Sequence, residues 1–122
     1  MTEFTKQRFG GETKYERYTS EPVPVSDVAI LDGLQEFLPN GFVGVSPSDA
    51  SGNIQPVGSA TGTFTVTGSP ATHNGFEDLS NNVIDIAAPS QASFQANLQS
   101  IRVEPSAVTG VTHYVVVVSL NE

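Results

Sequence analysis

The sequence holds no cysteine, so neither a disulfide scaffold nor a thiolate metal site is open to it, and cysteine usage marks no redox compartment. It has no apolar run near the roughly 18 residues that a membrane helix needs. Nor does a basic stretch lead into a short apolar core and a small-residue cleavage site. A membrane span and a secretory signal peptide are therefore not expected. Basic residues are few: Lys6, Arg8, Lys14 and Arg17 lie in the first 25 positions, and Arg102 is the only other. No G-x-S-x-G elbow accompanies the serines, and no GKS or GKT follows Gly10-Gly11, so neither an activated serine nor a phosphate loop can be read. These gaps predict a protein that is not an enzyme and takes no cofactor.

What is present favours strands. The 122 residues fit one domain, and 11 Gly, 8 Pro and a second half rich in Val, Ile, Thr and Phe suit strands joined by turns. Charge is unevenly divided. In residues 1–25 the four bases balance Glu3, Glu12, Glu16 and Glu21. In residues 26–122 Arg102 faces nine acids, which leaves −8. Such a body repels phosphate backbones and anionic membrane surfaces, so no nucleic-acid or membrane partner is expected.

EPVPV, residues 21–25, reads as a stiff linker, because the residue before each proline is pushed toward extended geometry. DVAILDGLQEFL, residues 27–38, offers both a helical face (Val28, Leu31, Leu34, Leu38) and the start of a strand alternation. Gly33 weakens the helix and tips the reading to a strand near 27–31 followed by a turn. Asn40-Gly41 reads as a turn, FVGVS as a strand and SPSDASGNIQP as a polar loop. TGTFTVTGS alternates cleanly, with Thr61, Thr63, Thr65 and Thr67 on one face and Phe64 and Val66 on the other. SFQANLQ places Phe94, Ala96 and Leu98 on one face, but Ile101 and Val103 resume one position out of phase, which predicts a bulge or turn near Gln99 or Ser100. EPSAVTG then reads as a turn, and VTHYVVVVSL as a long strand whose run Val115–Val118 predicts burial on both faces. Together these predict an all-β fold: an antiparallel β-sandwich, jelly-roll or Ig-like, over residues 26–122, with residues 1–25 as an extended N-terminal arm.

Candidate sites in the body have blander readings beside them. His73 and His113, with Asp78 near the first, are types that bind metal, but no two sit at a spacing that fixes them on one element; a turn residue and a half-exposed strand residue are expected, and no metal. DASGN sets Asp49, Ser51 and Asn53 at alternate positions like the start of a calcium loop, yet lacks the bidentate Glu and the required Gly, so a polar turn is expected. Glu77-Asp78 is the one carboxylate pair, and adjacent side chains of an extended segment point apart.

FVGVSPSDASGN, TGTFTVTGS and SFQANLQSIRVEPSAVTGVTHYVVVVS resemble small β-sandwich modules in structural proteins of tailed bacteriophages. The final hairpin of those modules reads I-x-V-x-P, then V/L-T-G, then T-H-Y and an apolar strand. Ile101, Val103, Pro105, Val108, Thr109, Gly110, Thr112, His113 and Tyr114 occupy those places here. The resemblance spans about residues 42–120 and implies a virion component such as a head decoration protein, a fibre or a tail-associated module, often trimeric.

In the arm, Phe4, Phe9, Tyr15 and Tyr18 follow no period that would bury them, and they lie among Lys6, Arg8, Lys14 and Arg17. Aromatic and Arg side chains supply binding anchors, and an extended segment of this length reaches on the order of 80 Å. These eight residues are the expected protein interface, in preference to a functionless tail. With the resemblance, they predict a capsid decoration or cement protein of a phage virion, made in the host cytoplasm. Its expected partners are other virion proteins, the major capsid protein first, and two further copies in a homotrimer, since the Val115–Val118 strand and a small body suggest shared surface. The alternative is a receptor- or glycan-binding module of a phage fibre or tail, whose loops SPSDASGN and THNGFEDLSNN hydrogen-bond hydroxyls, with Phe76 the sole nearby aromatic.

Overall fold

The computed structural model describes residues 4–9, 15–32, 40–56, 58–70, 77–87, 91–95 and 98–121. They form ten strands: β1 Phe4–Phe9, β2 Tyr15–Ser20, β3 Val23–Pro24, β4 Ala29–Asp32, β5 Asn40–Ser48, β6 Thr61–Pro70, β7 Glu77–Asp85, β8 Ala92–Gln95, β9 Leu98–Thr109 and β10 His113–Asn121. Among the described residues there is no helix. The fold is all-β, two antiparallel sheets packed as a sandwich. One sheet runs β1-β2-β10-β5-β8, with β3 following β2 along the same edge of β10; the other runs β7-β6-β9-β4. β7 joins them. It pairs with β6 at Thr65↔Val83 and again at Thr67↔Asp78, and the intervening detour carries Ser80 to Ser93 of β8.

Alternation decides which residues fill the space between the sheets. On β6 the predicted apolar positions, Phe64 and Val66, are fully buried. Opposite them on the first sheet, Tyr114, Val116, Val118 and Leu120 of β10 are buried to within 1 %. Val115 is buried at 5 % outside the main core cluster, and Val117 is half-buried, so the second face of this run is covered unevenly. Tyr114 is the largest fully buried side chain among the described residues; its ring lies 4.7 Å from that of Phe64 at 54°, and its hydroxyl donates to the Asp27 carbonyl at 2.7 Å.

The phase break before Ile101 is a bulge at the expected place. Ser69 pairs with Ser100 and Pro70 with Leu98, so Gln99 is the extra residue and the alternation is reset. A second bulge overturns the turn expected at EPSAVTG. Thr61 pairs with Thr109 and Thr63 with Ser106, and the surplus residue is absorbed where Ala107 takes a φ of 54°. β9 therefore continues through Pro105 and Ser106. Gly62 faces this bulge, and a Cβ there would come within 2.6 Å of the Val108 Cα.

The chain turns after Thr109 at Gly110, whose φ is 92° and whose missing Cβ would collide with the Ser59 carbonyl oxygen and lie 3.1 Å from the Ala60 Cα. Gly110→Ala should therefore lower stability by roughly 1–3 kcal/mol, because left-handed backbone strain and a backbone clash coincide. A denaturant melt checks this, and an unchanged midpoint would contradict the turn geometry.

Residues 4–9 and 15–20 are extended, as expected, but they are paired strands of the first sheet rather than a segment outside it. The division into residues 1–25 and 26–122 fails for the same reason. EPVPV is no free linker: β3 pairs with β10, and the Val25 N–H donates to the Thr112 carbonyl at 3.1 Å. Asn40-Gly41 opens β5 instead of forming a turn, since both are held between β10 and β8. Residues 77–82 of the expected loop THNGFEDLSNN belong to β7, while 71–76, including His73 and Phe76, lie outside the described residues. Of the segment 27–38, the strand is present as β4, and 33–39 lie outside the described residues.

Candidate functional site

β1 closes one end of the first sheet, and the hairpin it forms with β2 is where the predicted interface residues fall. β1 pairs with β2 from Phe4↔Ser20 to Phe9↔Tyr15. β2 in turn lies on β10 with Tyr18 opposite Val118 and Glu16 opposite Leu120. Since Val118 and Leu120 face the core, so do Glu16, Tyr18 and Ser20, and all three are buried.

A buried carboxylate needs partners. The Tyr18 hydroxyl donates to Glu16 Oε2 at 2.9 Å, and Lys6 Nζ lies 3.5 Å from Oε1. The same ammonium sits 5.7 Å from the centroid of the Tyr18 ring, within cation–π range. The Lys6 side chain keeps 44 % of its surface, so the group stands at the rim of the sandwich. Deeper in, the Ser20 hydroxyl oxygen accepts from the Val116 N–H at 2.8 Å, which fastens β2 to β10.

The structure thus gathers Phe4, Lys6 and Tyr18 near one another but gives them different tasks from those expected. Tyr18 is 4 % exposed, so it is a core residue and no surface anchor; Phe4 packs against the same core. Arg17 is half-buried opposite Ser119 on the outer face and has its own partner interactions. Arg8 and Phe9 occupy strand positions opposite Glu16 and Tyr15, while Lys14 lies outside the described residues. Glu16, which holds the group together, enters the sequence reading only as one of the acids that balance the bases of residues 1–25. Its signal is the alternation in YERYTS, legible only if a polar face is allowed to point inward.

The DASGN loop is a polar turn. Asp49 Oδ1 accepts from the N–H groups of Ser51 at 2.9 Å and Asn53 at 3.0 Å, and Oδ2 accepts from Asn53 Nδ2 at 2.9 Å. The carboxylate is thereby spent within its own loop and offers little to a calcium ion or a glycan hydroxyl. The Asn53 side-chain bond, followed by the backbone bonds, holds the Asp49 carboxyl below its ordinary value of 3.8. A lowered folded-state value means that the loop's stabilisation is present above 3.8 and is lost as the pH falls below it. An NMR titration should find the Asp49 carboxyl titrating below that value in the folded protein and at a higher pH in Asn53→Ala, which keeps the backbone bonds but loses the side-chain one; equal midpoints in the two proteins would contradict the bonding.

His113 is a half-buried strand residue as expected, its Nδ1 2.8 Å from Thr112 Oγ1. Among the described residues no group of three His, Cys, Asp or Glu could hold a metal ion, and no helix is long and apolar enough to cross a membrane. The outer face of the first sheet carries Phe42, 45 % exposed, beside Gly44, where a side chain would meet open space, and half-buried Val117.

By fold and site the chain is an antiparallel β-sandwich with an edge hairpin fixed over a buried carboxylate. It belongs to the family described as Domain of unknown function (DUF7265), whose pattern matches residues 13–122. That match includes β2, in keeping with its place in the sheet. No curated protein matches the sequence. Among solved structures, a protein of the Bacillus endospore appendages, a family of disulfide-linked pili, is similar at 12 % identity and a TM-score of 0.43, over 99 % of this chain and 88 % of that one. CBM32 of AlyQ, in complex with 4,5-unsaturated mannuronic acid, is similar at 11 % identity and a TM-score of 0.34, over 95 % of this chain and 76 % of that one. At such scores neither neighbour bears on what this chain binds or builds.

Proposed function

We propose that the protein is a non-catalytic structural subunit of a larger protein assembly, a decoration or cement protein of a tailed-phage virion, attached through its N-terminal hairpin to a capsid component. The observation that carries this reading is the position of β1. Among the described residues it is the terminal strand of its sheet and bears Lys6 at the rim, and four of the chain's five bases lie between residues 6 and 17 while residues 26–122 carry −8. An edge strand with unpaired backbone groups and concentrated charge is suited to docking. In this reading the copies form homotrimers, and neither nucleic acid nor membrane is a partner.

Mass spectrometry of gradient-purified virions from the source of the sequence tests the proposal. The protein should be present in many copies per particle and absent from the free lysate fraction; a protein confined to the lysate would overturn it. A mass measurement in solution tests the trimer, and a monodisperse monomer counts against it.

A further inference from the structure

We propose that the outer edge of β1 receives an extended acidic segment of a partner protein, which joins the first sheet as an added strand with Asp or Glu at alternate positions. This rests on the hairpin attachment above and names the chemistry of its partner. Among the described residues β1 pairs with β2 alone, so its other side presents N–H and C=O groups at strand spacing. Strand addition uses such a row for affinity and alternate side chains for specificity. Positions 4, 6 and 8 share one face of β1, and on that face Lys6 remains 44 % exposed even with Glu16 beside it.

Charge selects the occupant. A continuous sheet between β1 strands of two copies, related by a two-fold axis normal to the sheet, must oppose positions of equal parity. Position 6 then faces position 4, 6 or 8 of the other copy: two of these registers set Lys6 against Lys6 or Arg8, and the third sets it against Phe4, which offers it no opposite charge. Like charges directly opposite one another destabilise a strand pair, and lysine on an edge discourages self-pairing. A strand with carboxylates at alternate positions converts the same sites into opposite-charge cross-strand pairs. Other acidic segments approach this hairpin more readily than the rest of the chain, which is itself anionic.

Fluorescence anisotropy with short synthetic peptides tests the proposal on the full chain. The probes are a peptide alternating Glu and Val, its Lys–Val counterpart, and the Glu–Val peptide N-methylated along one edge. The acidic peptide should bind at least about tenfold more tightly than the basic one, weaken with added salt, and lose binding on N-methylation. The double variant Lys6→Gln, Arg8→Gln should lose that preference, with a thermal melt confirming that it is folded. Should the variant not fold, the N-methylated peptide still decides the matter. Equal binding of acidic and basic peptides, indifference to N-methylation, or no binding would overturn the proposal. So would a dimer in sedimentation that dissolves in the double variant, since the edge would then serve a second copy. Virion incorporation with no peptide preference defeats this inference alone; peptide preference with absence from virions defeats the functional proposal alone.

Discussion

Tyr114→Ala is expected to remove about 3–5 kcal/mol of stability, the range for deleting a large buried aromatic side chain. The residue is fully buried near the start of β10, stacks at a tilt on Phe64, and anchors the carbonyl of Asp27 in the connection that leads into β4. It therefore ties the two sheets and the β3–β4 turn through one side chain. Tyr114→Phe keeps the ring and loses the hydroxyl bond, so its expected cost is about 1 kcal/mol. Urea melts of both variants separate packing from hydrogen bonding, and a loss in Tyr114→Ala no larger than in Tyr114→Phe would contradict the ring's central place. Burial pushes the Tyr114 hydroxyl above the ordinary value of 10.0. Its contribution is therefore complete below that pH and is lost as the pH rises through and beyond it.

Deleting residues 1–20 is expected to abolish the cooperative melt. The truncation removes Tyr18 and Ser20 from the core face, exposes the edge of β10 from Val117 to Asn121, and strips the bond from the Val116 N–H to Ser20 Oγ. Loss of one large buried aromatic alone is about 3–5 kcal/mol, against total stabilities of about 5–15 kcal/mol for a domain. Deleting only residues 1–9 leaves β2 on β10 and should lower the melting temperature while keeping cooperativity. A 21–122 fragment that melts like the full chain would show the hairpin to be dispensable for the fold.

The strands that were legible in the sequence are those whose inward face is apolar. TGTFTVTGS reveals β6 because threonine alternates with Phe64 and Val66, and the phase slip between SFQANLQ and SIRVEP reveals the Gln99 bulge. Two kinds of feature stayed hidden. Pro105, Ser106 and Ala107 look like a turn, yet β4 borders β9 only through Val103, so among the described residues the strand there has an open side on which a proline costs no ladder bond. The N-terminal hairpin was misread for a chemical reason. Its inward face is Glu16, Tyr18 and Ser20, and a polar face becomes tolerable in a core only when its groups find partners, as Glu16 does in Tyr18 and Lys6 and Ser20 does in the Val116 N–H. That pairing is tertiary information, which no periodicity carries.

Native-state hydrogen exchange on the free protein tests most directly the claim that the hairpin is built into the sandwich and leaves one edge open. The account predicts that amides of residues 15–20 are protected to the level of β10, while those of β1 split into slow inward-bonded and fast outward-facing groups. Uniformly fast exchange over residues 4–20, with β10 fully protected, would contradict it.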